Sequence, residues 1–254
     1  GIKWYNNGQI HYQRVKRNKT GVISGNVKTS GDAEVFVYGG ETIKEIGDMS
    51  PYNVKQVDFR NLTKLNKLQL GSEEKSCVIN KLDLGVNTYL SDLILTNCGS
   101  LATVDVSGCI NLKRVDMTDS GITSIRLPNV GGALESIAYS NAITSIDLQN
   151  FMNLTNVSAP VLNNLTRFVI KNCPKILGSK ENPNAKAWGL MQQTYNTSSL
   201  TDIQVTSYGA VEPKKVGDGE YFFLDKYCNY GTSKNIKGEI YYTGTVVPKN
   251  YIKF

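Results

Sequence analysis

The sequence is short of the side chains on which most catalytic and metal sites depend. It has one histidine, His11, and five cysteines, Cys77, Cys98, Cys109, Cys173 and Cys228, an odd set without a Cys-x-x-Cys pair. Zinc is held by closely spaced Cys and His ligands, so no metal site is expected. A Ser-His-Asp relay would have to use His11, near the N-terminus. Gly39-Gly40 and Gly131-Gly132 are not followed by Lys-Ser/Thr, so no phosphate-cradling loop is expected either. No window approaches 18 consecutive apolar residues, which leaves no candidate transmembrane segment. The chain opens at Gly1 without a Met or an apolar leader, as a processed protein or a piece of a longer one would. Catalytic residues: none; metal ligands: none; cofactors: none. That is the expectation from what is missing.

Charge adds little. The 28 Lys and Arg outnumber the 22 Asp and Glu by six, and they are spread along the chain. This suits solubility and mild affinity for acidic surfaces, and no nucleic acid partner is expected from it. One basic cluster, Arg14, Lys16, Arg17 and Lys19 beside Tyr12, could touch phosphates, but four charges on a strand or turn are ordinarily just solvated.

What is abundant is a motif, apolar-x-x-apolar-x-apolar, found eleven times. The copies start at Val54, Leu65, Ile79, Leu90, Leu101, Leu112, Ile122, Leu134, Ile143, Leu154 and Leu165. All thirty-three apolar slots are filled by apolar residues or Tyr in a chain that is 40% hydrophobic. A repeat architecture follows. Two sets interleave, one centred on Val57, Leu82, Val104, Ile125, Ile146 and Phe168, the other on Leu68, Leu93, Val115, Ile137 and Val157. Steps within a set are 20 to 25 residues, so one coil is a double unit with a short strand on each of two sides. The two-residue period turns the middle residue of each apolar-x-apolar tripeptide outward. Stacked coils then form parallel sheets about 4.8 Å apart, because no coil can bury its apolar face alone.

After each tripeptide comes a turn with an inward slot that holds Leu62, Asn87, Cys98, Cys109, Ser120, Phe151 and Cys173, with Ala142 and Val130 in shorter turns. A tight corner accepts a small buried residue, or an Asn that satisfies turn amides. Cys98, Cys109 and Cys173 are therefore expected to be reduced, packed corner residues.

Segments such as Leu82-Asp83-Leu84-Gly85-Val86-Asn87-Thr88-Tyr89-Leu90 and Val104-Asp105-Val106-Ser107-Gly108-Cys109-Ile110-Asn111-Leu112 resemble leucine-rich repeats. They are similar to the short, helix-poor kind of Bacteroidetes-type bacterial surface proteins and of virion proteins of phages infecting such hosts. The resemblance covers about residues 54 to 176 and departs from the family pattern at the insert Gly71 to Val78. It implies a mainly β solenoid of about five double coils. It also implies an extracellular or bacterial cell-surface setting, or alternatively a virion.

Outside the repeat, Gln9 to Val15, Gly21 to Val27 and Glu34 to Tyr38 alternate as strands do, and residues 1–50 are expected to form an N-terminal β cap. The solenoid is placed at 51–177. Residues 178–254 are expected to be a C-terminal cap or small α+β domain, with a helix over Ala185 to Tyr195 after Asn182-Pro183-Asn184. Strands are expected there at Thr201 to Ser207, Glu220 to Leu224 and Gly238 to Val247. Tyr221, Phe222, Phe223, Tyr227 and Tyr230 form an aromatic cluster read as packing of that cap.

The outward positions of the first set are Asp58, Asp83, Asp105, Arg126, Asp147 and Val169, flanked by hydroxyl and basic residues that include Thr123, Thr144, Thr166 and Arg167. A rigid sheet face of this kind suits protein or glycan contacts, so Asp83, Asp105, Thr123, Arg126, Thr144, Asp147 and Arg167 are the candidate binding residues. The opposite face, with Asp92, Lys113, Arg114, Asp116 and Glu135, is the weaker candidate. Three functions are in view: a non-enzymatic binding or adhesion module, a virion component that assembles with other subunits, and a carbohydrate-active enzyme using the carboxylates. The last suffers from the lack of a cleft on a flat sheet.

Overall fold

The computed structural model describes residues 2–6, 9–14, 34–37, 42–50, 53–129, 132–160, 162–171, 173 and 175, and strand backbone at 202–206, 214–217, 220–224, 230–233 and 239–243. The chain divides into two units, Gly1–Ile43 and Lys44–Phe254. In the first, β1 (Ile2–Asn6) lies between β2 (Gln9–Gln13) and β3 (Val35–Val37), all antiparallel. The stretches expected at Gln9 to Val15 and Glu34 to Tyr38 become β2 and β3. Trp4 and His11, opposite one another in register, stack at 5.3 Å. The stretch Gly21 to Val27 lies outside the described residues.

The second unit is a mainly β solenoid with a parallel sheet on each of two sides. The first-set strands are β5 (Gln56–Asp58), β7 (Lys81–Asp83), β9 (Thr103–Asp105), β11 (Ser124–Arg126), β13 (Ser145–Gln149) and β15 (Arg167–Lys171). The second-set strands are β6 (Lys67–Gln69), β8 (Asp92–Ile94), β10 (Arg114–Asp116), β12 (Ser136–Ala138) and β14 (Asn156–Ser158). Their register aligns the central residues of successive coils, Leu68 with Leu93, Leu93 with Val115, and Val115 with Ile137. Both sets are thus in the expected phase. β4 (Glu45–Ile46) pairs parallel with β6, so the second sheet starts inside the stretch read as the N-terminal cap. Two residues were too short a signal to find it.

Packing follows the motif. Leu65, Leu68, Leu70, Leu90, Leu93 and Leu95 are fully buried, as are Ile122, Ile137, Ile143 and Leu148. Each such side chain contributes about 1.5–3 kcal/mol when taken from water. The insert is held by Asn97, whose Nδ2 donates to the carbonyls of Ser72 and Glu73 at 2.9 and 3.2 Å. Gly71 is required there, because a Cβ would stand 1.9 Å from the Thr96 carbonyl oxygen.

Beyond the repeat the first sheet continues: β16 (Asp202–Thr206) adds parallel to β15, and β20 (Glu239–Thr243) adds antiparallel to β16. A separate antiparallel sheet holds β17 (Lys214–Gly217), β18 (Glu220–Leu224) and β19 (Tyr230–Ser233). The expected C-terminal strands thus appear as β16, β18 and β20. The helix expected over Ala185 to Tyr195 lies outside the described residues, as do the side chains of Tyr221, Phe222 and Phe223 and all of Tyr227.

Candidate functional site

The outward row of the first sheet has a local structural role that explains its aspartates. Asp58, Asp83 and Asp105 each accept a hydrogen bond from the backbone N–H two residues on, at Arg60 (3.1 Å), Gly85 (3.1 Å) and Ser107 (2.9 Å). The carboxylate satisfies an amide where the chain leaves the strand and turns, the usual service of Asp at a turn. Asp116 does the same for Thr118 on the second sheet, at 3.2 Å.

The remaining carboxylate oxygens face arginines. Arg60 pairs with Asp58 at 2.6 Å and reaches Asp83 at 3.4 Å, Arg126 reaches Asp105 at 3.4 Å, and Arg167 reaches Asp147 at 3.5 Å. Hydrogen bonds from Arg60 hold the Asp58 carboxyl at about 2, and those from Ser107 hold Asp105 below the usual carboxylate range. Both stay ionised at neutral pH, so they act as acceptors and are unsuited to donate a proton as general acids.

The candidate threonines form a second ladder. Thr123 Oγ1 donates to the Ala102 carbonyl, Thr144 to Thr123 and Thr166 to Thr144, each at 3.1 Å. Each hydroxyl stitches its coil to the one before.

Asp83, Asp105, Thr123, Arg126, Thr144, Asp147 and Arg167 therefore lie along one face in strand register, carried by β7, β9, β11, β13 and β15 and the residues just before them. Val169 is a correction. The alternation puts it in the outward row, yet it is fully buried, so the solvent-facing row ends at Asp147. β15 lies between β13 and β16, and an apolar side chain fits a buried position on it. Arg60 was missed. Its signal is the Asp-x-Arg spacing that ends at Arg60, within reach of Asp58 two residues earlier.

The corners behave as their residue types demand. Asn87, 1% exposed, donates to the Leu62 carbonyl at 3.0 Å and accepts from the amides of Tyr89 and Leu90 at 3.2 Å each. Cys98, Cys109 and Cys173 are fully buried thiols outside any disulfide, and Cys77 at the end of the insert is buried too. Burial pushes the Cys98 and Cys109 thiols up and the Cys173 thiol up to about 11, which makes them poor nucleophiles. In the shorter turn the buried corner residue is Ser140, which accepts from the amide of Ala142 at 3.2 Å and donates to the Ile122 carbonyl at 2.6 Å. Ala142, expected in that slot, is only half-buried; a small hydroxyl does the bonding that its methyl cannot. Leu62 is likewise half-buried, and Val130 is outside the described residues.

On the opposite face Lys113 pairs with Glu135 at 3.3 Å and Arg114 with Asp116 at 3.2 Å. Of the basic cluster, Lys16, Arg17 and Lys19 lie outside the described residues. Among the described residues no group of three or more His, Cys, Asp or Glu is placed to share a metal ion, and no helix is long and apolar enough to cross a membrane. Comparison with protein-family models, with curated proteins and with solved structures gives no match to this chain.

Proposed function

We propose that this chain is a non-enzymatic binding or adhesion module that recognises a protein or glycan partner through the outward face of the first sheet. The observation that carries this reading is the set of Asp83, Asp105, Arg126 and Asp147 at equivalent positions of successive first-face strands, joined by Arg167. Their ion pairs and turn bonds fix the side chains before any partner arrives, so little rotamer freedom is lost on binding. Solenoids expose such faces as extended surfaces, and the resemblance of the coils to leucine-rich repeats supports a setting on a bacterial surface.

The test is binding of the whole chain to protein and glycan arrays, repeated with the double variant Arg126→Ala/Arg167→Ala. Arg126 is exposed and Arg167 half-buried, and their surface pairs are worth about 0–1 kcal/mol, so the fold should survive. Binding should fall at least about tenfold, the equivalent of 1.4 kcal/mol. A partner that binds both proteins equally would place recognition elsewhere.

A further inference from the structure

The polar groups of the first face repeat with a period that the sequence motif does not have. Strand ladders join β5 with β7, β9 with β11, and β13 with β15 and on to β16, while the coils of β11 and β13 are linked by the Thr144 N–H donating to the Thr123 carbonyl at 3.0 Å. Each pair carries one arginine–aspartate bridge from coil to coil: Arg60 to Asp83, Arg126 to Asp105, Arg167 to Asp147. The bridges therefore recur every second coil, about 10 Å apart at twice the usual strand spacing of 4.8 Å. All four carboxylates of the face, Asp58 included, stand in an ion pair with an arginine.

That pairing selects against charged ligands. An isolated anion must compete with a carboxylate for its arginine, and a cation must compete with an arginine for its carboxylate. A hydroxyl can do what neither can: it donates to the Asp oxygen and accepts from the Arg N–H, bridging the pair without separating it. Arg126 is two-thirds exposed, and its Nη1 donates to Asp105 at 3.4 Å, one of the five N–H donors a guanidinium carries. The lone pairs of Thr123 and Thr144, whose protons are already committed to the coil stack, offer acceptors between the bridges.

We infer that the ligand of this face is a neutral, extended polysaccharide whose chain has a two-residue repeat, such as a β-1,4-linked glucan or N-acetylglucosamine polymer. In such a chain alternate sugars present the same edge, and the disaccharide repeat is close to the two-coil step of the bridges. The three Arg–Asp bridges, one in each two-coil step, then meet hydroxyls along one straight chain, with Arg60 reaching forward to the next coil and Arg126 and Arg167 reaching back to the one before. This rests on the reading of the first face as the binding surface, and it adds the ligand class.

The test is a pull-down of the whole chain on microcrystalline cellulose and chitin, with granular starch and heparin resin as contrasts. The expected result is retention on cellulose or chitin and little on starch, whose chain coils. Retention should be unchanged when salt is raised from about 0.05 to about 0.5 M, because the recognised ligand is uncharged. Arg126→Ala should lower the bound fraction at least about tenfold, with Arg126→Gln, which keeps a donor, as the second variant should the first misfold. Equal retention on starch, salt-sensitive retention on heparin alone, or no retention on any polysaccharide would each overturn the inference. If a protein on the arrays binds instead and is lost in Arg126→Ala/Arg167→Ala, the face reading survives and only the polysaccharide falls. Polysaccharide binding that both Arg126 variants keep in full would overturn the face itself.

Discussion

The two faces of the solenoid are made from one motif and held together differently. On the second face six strands run as one continuous ladder, and Leu68, Leu93, Val115 and Ile137 at its centre are fully buried. On the first face the ladder is divided, β5 with β7, β9 with β11, and β13 and β15 with β16 and β20; at the equivalent positions Val57, Leu82 and Ile125 are half-buried, whereas Val104 and Ile146 are buried. A strand laddered on both sides shares backbone hydrogen bonds with two neighbours, whereas a paired strand shares them with one. The strand ladder between coils is thus more continuous on the second face, while on the first face bonds beside the strands, such as Thr144 N–H to the Thr123 carbonyl at 3.0 Å, join the coils of β11 and β13. The first face, relieved of part of that task, carries the ordered polar groups: aspartates that cap turns, arginines that bridge coils, threonines that stitch them. One chain period serves packing and a doubled period serves the surface.

The strongest way to break this comparison is to delete equivalent core side chains. Leu93→Ala, in the middle of the continuous ladder, should lower unfolding free energy by about 2–5 kcal/mol, since it leaves a cavity between fully buried neighbours. Leu82→Ala removes the same atoms from a half-buried site and should cost about 1–2 kcal/mol, in proportion to the area it had hidden. Urea denaturation of the two variants side by side measures this. Equal losses would mean that the faces bear load alike and that the split of the first sheet has no energetic weight.

The core was legible in the sequence because burial acts on every coil in the same way. Leu65, Leu68 and Leu70 repeat as Leu90, Leu93 and Leu95, and both triplets are fully buried. Asn87 was legible as a corner for the same reason. What escaped was set by contacts between coils. Arg60 is an ordinary surface residue until Asp83 is brought to 3.4 Å from it by the next coil. Val169 satisfies the outward alternation, yet it is fully buried on a strand that the first sheet continues past, to β16. The two-coil period of the candidate site is invisible in a motif whose apolar slots are all alike. Patterning states which side chains hide from water; it does not state which strands share hydrogen bonds or which charges meet.

A smaller effect separates the corners that follow the two kinds of strand. Asn87, after the first-face strand β7, makes three hydrogen bonds while buried. Asn87→Ala strands the amides of Tyr89 and Leu90 and the Leu62 carbonyl, at an expected cost of about 1–3 kcal/mol. Ser120, after the second-face strand β10, makes one long bond to the amide of Ile122 at 3.4 Å, and Ser120→Ala should cost less than about 1 kcal/mol. The melting temperatures of the two variants would show the order. A reversal would mean that the corner after the second face carries the greater polar load.

The smallest expected effect concerns charge. Asp58 is held at about 2 by hydrogen bonds from Arg60, below the value of about 3.9 it has in an unfolded chain. A group whose folded value is depressed contributes stability that is complete above the unfolded value and disappears as pH falls through the folded one. The window is therefore about pH 4 down to about 2. Both partners are more than half exposed, which limits the contribution to less than about 1 kcal/mol, and added salt should shrink it further. Asp58→Asn keeps an acceptor for the Arg60 amide and removes the charge, so it should flatten this part of the pH profile of the urea midpoint. If the profiles of the two proteins coincide at low salt, the Arg60–Asp58 pair is a geometric device that positions Arg60 against Asp83 and adds nothing to stability. The first face would then owe its order to the turn-capping bonds alone, and its bridges would matter only when a ligand is bound.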